Sequence, residues 1–214
     1  MANLSTDSDI LDLWPTKLLR RMTQGCEAHN AALSAMILDL DAASVSLTTD
    51  YRDVHLFERT VPCMAWLRDL VNATTIDYLK HCQLNHPIDW TIHGWPNVNR
   101  FGDYHGQHNH PRSYLSGTYY VQVPSETKGG PYRADVTPNS ISFHDPRAMA
   151  NMTAIKGDPN INPEYRIDPQ PGLIALWPSF LNHSVHPNLS EEPRISISFN
   201  IVLKWRNSYL PDGV

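Results

Sequence analysis

The sequence predicts a mainly β domain: a barrel-like core with N-terminal helices packed on one face. Three observations lead there. Helical spacing of apolar residues is confined to the first third of the chain. Beyond Pro87, short β-branched and aromatic runs alternate with clusters of Pro, Asn, Asp and Gly. The last run, Arg194–Leu203, alternates strictly between polar and apolar residues, so it is a strand with two unlike faces.

The elements follow in order. Apolar residues from Lys17 to about Leu40 (Leu18, Leu19, Met22, Cys26, Leu33, Ile37) approximate a helical stripe, with Gly25 as its weak point. The stretch Ser44–Phe57 reads as an early strand or a loop. A second helix is expected over Met64–Cys82, started by Pro62, whose missing N–H costs nothing in a first turn. Strands are expected at Trp90–His93, Leu115–Val123, Ser140–His144, Leu173–Trp177 and Arg194–Leu203. Pro124–Pro138 and Arg147–Pro163 read as long excursions, a length that usually belongs to functional loops. The chain of 214 residues suits one domain, with a helical layer over about 1–86 and the barrel core over about 87–206.

Composition narrows the function. Lys plus Arg number 17 against 22 Asp plus Glu, a net charge of −5, which lacks the basic footprint of a nucleic-acid binder. No apolar run reaches the ~20 residues of a membrane span, and the opening MANLSTDSDILDLWP has no signal-peptide pattern. Cys26, Cys63 and Cys82 form no CxxC pair, as expected for reduced thiols in a cytoplasmic protein. Histidine (11) outnumbers glycine (10), and the histidines carry the functional reading.

His108 and His110 stand at i and i+2, so on an extended segment both imidazoles project to one side, where they can share a metal ion. An HxH pair alone is a weak signal. A third donor must come from elsewhere, and LWPSFLNHSVHP offers His183 and His186. Arg194 then begins the alternating strand on its polar face, with Ser196 two residues on. Arginine clamps a carboxylate with two parallel N–H bonds, and Ser196 can add a hydroxyl to the same group. A metal site beside an inward Arg-x-Ser suggests a dicarboxylate that chelates metal at one end and meets arginine at the other.

Five segments in order, His108–His110, Ser116–Pro124, Phe143–Arg147, Gly172–Val185 and Arg194–Asn200, resemble the 2-oxoglutarate/Fe(II) oxygenases, a jelly-roll (double-stranded β-helix) group. The likeness covers the chain from Trp95 onward, and Asp12–Leu18 is similar to that family's opening. A more distant likeness is to the aspartyl/asparaginyl β-hydroxylases, through the histidine three residues before Pro111. The resemblance implies Fe(II), 2-oxoglutarate and O2 as cofactors. It also implies oxidation of a substrate C–H bond, commonly hydroxylation, coupled to decarboxylation of 2-oxoglutarate to succinate. His108 matches the first metal histidine, His183 the distal one, and Arg194 with Ser196 the pair that holds the far carboxylate.

The departure is His110, where the family has Asp or Glu in a 2-His-1-carboxylate face. Two readings follow: His110 ligates and makes a neutral three-histidine site, which the i, i+2 spacing favours, or water fills the position. Asp103 and Asp145 are fallback carboxylates. Asn97 and Tyr119 are expected to hydrogen-bond 2-oxoglutarate, although only one of the adjacent Tyr119 and Tyr120 can face inward. His105 is a candidate to orient a ligand histidine. Arg147 is a candidate hold on an acidic substrate, and Tyr120 and Trp177 are further candidates near the substrate.

The expected partner is a small-molecule or amino-acid-like substrate, with no nucleic acid and no membrane, and the helical layer offers a surface for a homodimer. Two other readings are distinguishable from this one. A cupin-like three-histidine dioxygenase would bind its substrate directly to iron and need no 2-oxoglutarate. A non-catalytic jelly-roll binding module would hold structural zinc or no metal.

Overall fold

Two antiparallel sheets face each other, and each owes its inner face to period-two alternation in the strands. The computed structural model describes residues 13–43, 55–84, 87–128, 133, 135–147 and 163–209. Most of the expected strand or loop at Ser44–Phe57 and most of the Arg147–Pro163 excursion lie outside these residues. The larger sheet has the order β1-β7-β4-β9-β2, from β1 (Leu19–Met22), β2 (Trp90–Asn99), β4 (Leu115–Gln122), β7 (Leu173–Pro178) and β9 (Arg194–Leu203). The smaller has the order β3-β8-β5-β6, from β3 (His105–His108), β5 (Ile141–His144), β6 (Glu164–Ile167) and β8 (His183–Val185).

The expected first helix is corrected at its start. Leu19–Met22 is not helical but an edge strand paired with β7, and helix α1 runs only over Glu27–Ala42. Gly25, with φ of 65°, makes the turn between them, a conformation that other residues adopt at a steric cost. Helix α2 spans Pro62–His81 with Pro62 in its first turn, close to expectation. Strands β1, β3, β6 and β8 are short, three or four residues each, too brief for periodicity to reveal.

The helices cover the outer face of the larger sheet. Leu33 and Ile37 of α1 and Met64, Leu67 and Val71 of α2 recur three or four positions apart and bury against Ile195, Ile197, Phe199 and Ile201 of β9. Removing a side chain of that size from water stabilises the fold by about 1.5–3 kcal/mol. Close contact here requires glycine: a Cβ on Gly117 would lie 2.7 Å from the Ala175 carbonyl oxygen and inside the Phe199 ring. With the apolar face of β9 turned to the helices, its polar face, Arg194, Ser196 and Ser198, lines the interior. No helix among the described residues is long and apolar enough to cross a membrane.

Candidate metal and cosubstrate site

The interior between the sheets holds a cavity of about 470 Å³, including its open mouth, and the sequence-predicted histidines meet there. His108 ends β3, His183 begins β8, and the two are direct cross-strand partners. His110 follows β3, where its backbone N–H donates to the Ser179 carbonyl at 3.0 Å. One nitrogen from each of the three rings lies within 4.8 Å of the others, and no other such group of His, Cys, Asp or Glu occurs among the described residues. Ring centroids are 4.3 Å apart for His108 and His183, 5.1 Å for His108 and His110, and 5.2 Å for His110 and His183.

Backbone carbonyls set the tautomers. Nδ1 of His108 lies 2.7 Å from the Gly106 carbonyl oxygen and Nδ1 of His183 lies 3.0 Å from that of Leu181. A carbonyl only accepts, so each Nδ1 carries a proton, and in the neutral ring each Nε2 keeps its lone pair for a cation. Burial, reinforced by His108, holds the pKa of His110 down at about 4. Burial and the neighbouring rings hold that of His183 at about 3. Neutral imidazole is the form that binds metal.

Deeper in the cavity, Arg194 is 1% exposed. Its Nη1 donates to the carbonyls of Asn139 (3.2 Å) and His186 (3.1 Å), while Nε and Nη2 have no hydrogen-bond partner. It forms no ion pair with a carboxylate among the described residues, an arrangement that is costly for a buried charge unless a ligand completes it. Register aligns the other polar groups. Ser196 pairs with Asn97 of β2 on one side and Tyr120 of β4 on the other, so all three share the inner face. Asn97 Nδ2 donates to Ser198 Oγ at 3.0 Å, leaving Asn97 Oδ1 without a partner. The Trp177 indole N–H also lacks a partner, and its ring packs edge-on against His183 at 4.9 Å. His105 lines the same cavity beside Asn99, 3.2 Å from its Nδ2, and burial first, then Arg194 and His108, lower its pKa to about 4.

Several expected residues lie elsewhere. Tyr119 is on the opposite face of β4, paired with Ile197, and donates to Asn30 Oδ1 of α1 at 2.7 Å. The expectation that it meets the cosubstrate is therefore corrected: Tyr120 faces the cavity. Arg147 is bound to Asp145 away from the cavity, and Asp103 accepts the Arg100 N–H in a turn, so neither fallback carboxylate reaches the histidines. His186 turns outward to Ser142. Ser198 lines the cavity with Arg194 and Ser196, as the polar face of the alternating strand predicts, whereas sequence reasoning missed Asn99 and Thr118. Their signal was the period of two from Asn97 and Tyr120.

The residues present fit a divalent cation held by three neutral imidazoles above a dicarboxylate, because the unpartnered Arg194 donors suit a carboxylate. Comparison with known proteins identifies the fold and the family. In fold the chain is similar to a prolyl-4-hydroxylase of Pseudomonas putida (11% identity, TM-score 0.57, 88% of each chain covered). It is similar also to a Trichoplax adhaerens prolyl hydroxylase crystallised with a hypoxia inducible factor peptide fragment (13%, 0.57, 86% of this chain and 83% of that one). A third likeness is to HygX of Streptomyces hygroscopicus, crystallised with nickel and 2-oxoglutarate (12%, 0.55, 89% and 85%). No curated protein matches in sequence. Residues 93–200, just over half of the chain, match the family described as "Putative 2OG-Fe(II) oxygenase". The protein belongs to this family of Fe(II)- and 2-oxoglutarate-dependent oxygenases.

Proposed function

We propose that His108, His110 and His183 together hold the iron, that Arg194 and Ser196 grip the far carboxylate of 2-oxoglutarate, and that the substrate is a small amino-acid-like molecule. The observation that carries this reading is the placement of three mutually close histidines and a buried arginine with two unpartnered donors in one cavity.

When bound, Fe(II) with 2-oxoglutarate and O2 supplies the oxidant for a substrate C–H bond, 2-oxoglutarate leaving as succinate and CO2. The chain's own work is to bind, orient and exclude water. The Gly106 and Leu181 carbonyls hold the two strand histidines in one tautomer and one rotation. Arg194 presents Nε and Nη2 as a pair, with the Ser196 hydroxyl on the same strand face. Tyr120, Ile141 and Val185 line the same cavity and offer apolar surface to the cosubstrate's methylenes.

Charge supports the substrate class. Three neutral imidazoles add nothing to a divalent cation, and among the described residues no Asp or Glu lines the cavity. With dianionic 2-oxoglutarate and Arg194 in place, one positive charge remains uncompensated. A substrate carrying a carboxylate offsets it.

The test is anaerobic titration of Fe(II)-loaded protein with 2-oxoglutarate. A visible charge-transfer band is expected, with Arg194→Ala shifting its midpoint upward by at least about tenfold. The reading fails if there is neither a band nor 2-oxoglutarate binding. Oxygen uptake that proceeds equally with and without 2-oxoglutarate would favour the cupin-like chemistry instead.

A further inference from the structure

We propose that His186 is a positioning residue for the cosubstrate site, aiming Arg194 from outside the barrel; this rests on the reading that Arg194 grips 2-oxoglutarate. A guanidinium is planar and rigid, so fixing one nitrogen fixes the direction of the rest. Nη1 of Arg194 is fixed by two carbonyls, Asn139 at 3.2 Å and His186 at 3.1 Å. That leaves the Nε and Nη2 edge, the edge a carboxylate can grip with both oxygens, free to face the cavity. The direction of Arg194 thus depends on how firmly the two carbonyls are held.

They sit on separate segments that His186 joins. Its backbone N–H donates to Ser140 at 2.8 Å, and the Asn139 N–H donates to Pro187 at 3.1 Å. Asn139 itself has φ of 68°, a left-handed conformation that asparagine tolerates better than most residues. On the outer face the imidazole adds a side-chain tie. Nδ1 accepts the Thr137 N–H at 3.2 Å, and Nε2 lies 2.8 Å from Ser142 Oγ.

The direction of each bond is settled by its partners. The Thr137 N–H can only donate, so Nδ1 is bare and Nε2–H donates to Ser142. The Ser142 hydroxyl in turn donates to Glu164, which also accepts from Arg166 Nε at 2.9 Å and Nη2 at 2.6 Å. Arg166 Nη1 returns to Thr137 Oγ1 at 2.6 Å. These bonds close a ring, Thr137–His186–Ser142–Glu164–Arg166, on the outside of the smaller sheet. The His186 carbonyl passes that order inward to Arg194, while its imidazole touches neither the histidine cluster nor the cavity.

The experiment titrates Co(II)-loaded wild type, His186→Leu, His186→Asn and Arg194→Ala with 2-oxoglutarate and with 2-oxobutyrate. The second ligand has the 2-oxo acid end without the far carboxylate. His186→Leu keeps the carbonyl that Arg194 meets but removes the imidazole's two ties, to Thr137 and Ser142, and is expected to weaken 2-oxoglutarate about tenfold, the scale of one or two neutral hydrogen bonds. It should leave 2-oxobutyrate and Co(II) affinity unchanged. His186→Asn, whose amide oxygen can accept the Thr137 N–H, should recover most of the loss. The inference is overturned if His186→Leu binds 2-oxoglutarate as wild type does, or weakens both ligands equally. If His186→Leu does not fold, Ser142→Ala, which removes the Nε2 partner, decides by the same comparison with a smaller expected loss. Undiminished 2-oxoglutarate binding by Arg194→Ala would instead remove the underlying assignment of Arg194, and the inference with it.

Discussion

His108 and His183 face each other across the β3–β8 pairing with ring centroids 4.3 Å apart, and each points Nδ1 at the carbonyl two residues before it. The same local device therefore orients both rings, on strands from distant parts of the chain. One nitrogen of each ring lies within 4.8 Å of one from the other and of one from His110.

Replacing either His108 or His183 by Ala is expected to lower Co(II) affinity by on the order of 100-fold or more, measured calorimetrically, since even residues that merely orient metal ligands typically matter 10–100-fold. His110→Asp should retain metal and change the visible Co(II) spectrum, because a carboxylate replaces an imidazole at the same place. A spectrum identical to wild type would show that His110 stands off the metal.

Tyr119 and Tyr120 separate two effects at adjacent positions. Tyr119→Phe removes the bond to Asn30 and should cost about 1 kcal/mol of stability with no change in 2-oxoglutarate affinity. Tyr120→Phe should weaken 2-oxoglutarate binding several-fold, since that side chain lines the cavity opposite Ser196. Denaturant titration and ligand titration of both variants distinguish them. An exchange of the two phenotypes would mean that β4 is off register.

Acid should destabilise the metal-free protein. The folded pKa is about 4 for His105 and His110 and about 3 for His183, all held down chiefly by burial. Unfolded histidine titrates near 6.5, so below that pH the unfolded chain takes up more protons. The stability from these neutral rings is complete above pH ~6.5 and is lost as pH falls toward the folded values, by about 1.4 kcal/mol per unit for each. Melts of metal-free protein at pH 7.5 and 5.5 should show a clear drop in Tm. A flat profile would mean that the rings are solvated.

Gly117→Ala tests how tightly helix layer and sheet are packed. The added methyl meets the Phe199 ring and the Ala175 carbonyl, and backbone cannot yield as a side-chain tip can. A loss of about 1–3 kcal/mol is expected by chemical denaturation. An unchanged midpoint would show slack between Phe199 and β4.

The fold class was legible because alternation in Arg194–Leu203 and the helical stripe after Pro62 are strong local signals. The early strand Leu19–Met22 was not, since its residues also suit a helix and only pairing with β7 decides the matter. The candidate metal donors were legible as types and spacings: His108, His110 and a later histidine. Spacing alone left His183 and His186 both open, and the family resemblance pointed to His183. His183 and His186 are three apart, so in extended chain they face opposite sides of the sheet, and the β8 register turns the first inward and the second to Ser142.

Sequence alone therefore determined the chemistry available: imidazoles at a spacing that can share a metal ion, an Arg-x-Ser on a polar strand face, and a mainly β domain to hold them. Tertiary structure decided which of two tyrosines meets the cavity, and it brought the three histidines within reach of one another. It also decided that the buried Arg194 keeps two donors unpartnered. The physical reason is register. Alternation defines two faces for every strand, but a one-residue shift exchanges them, and only the pairing of strands distant in sequence selects the inner one.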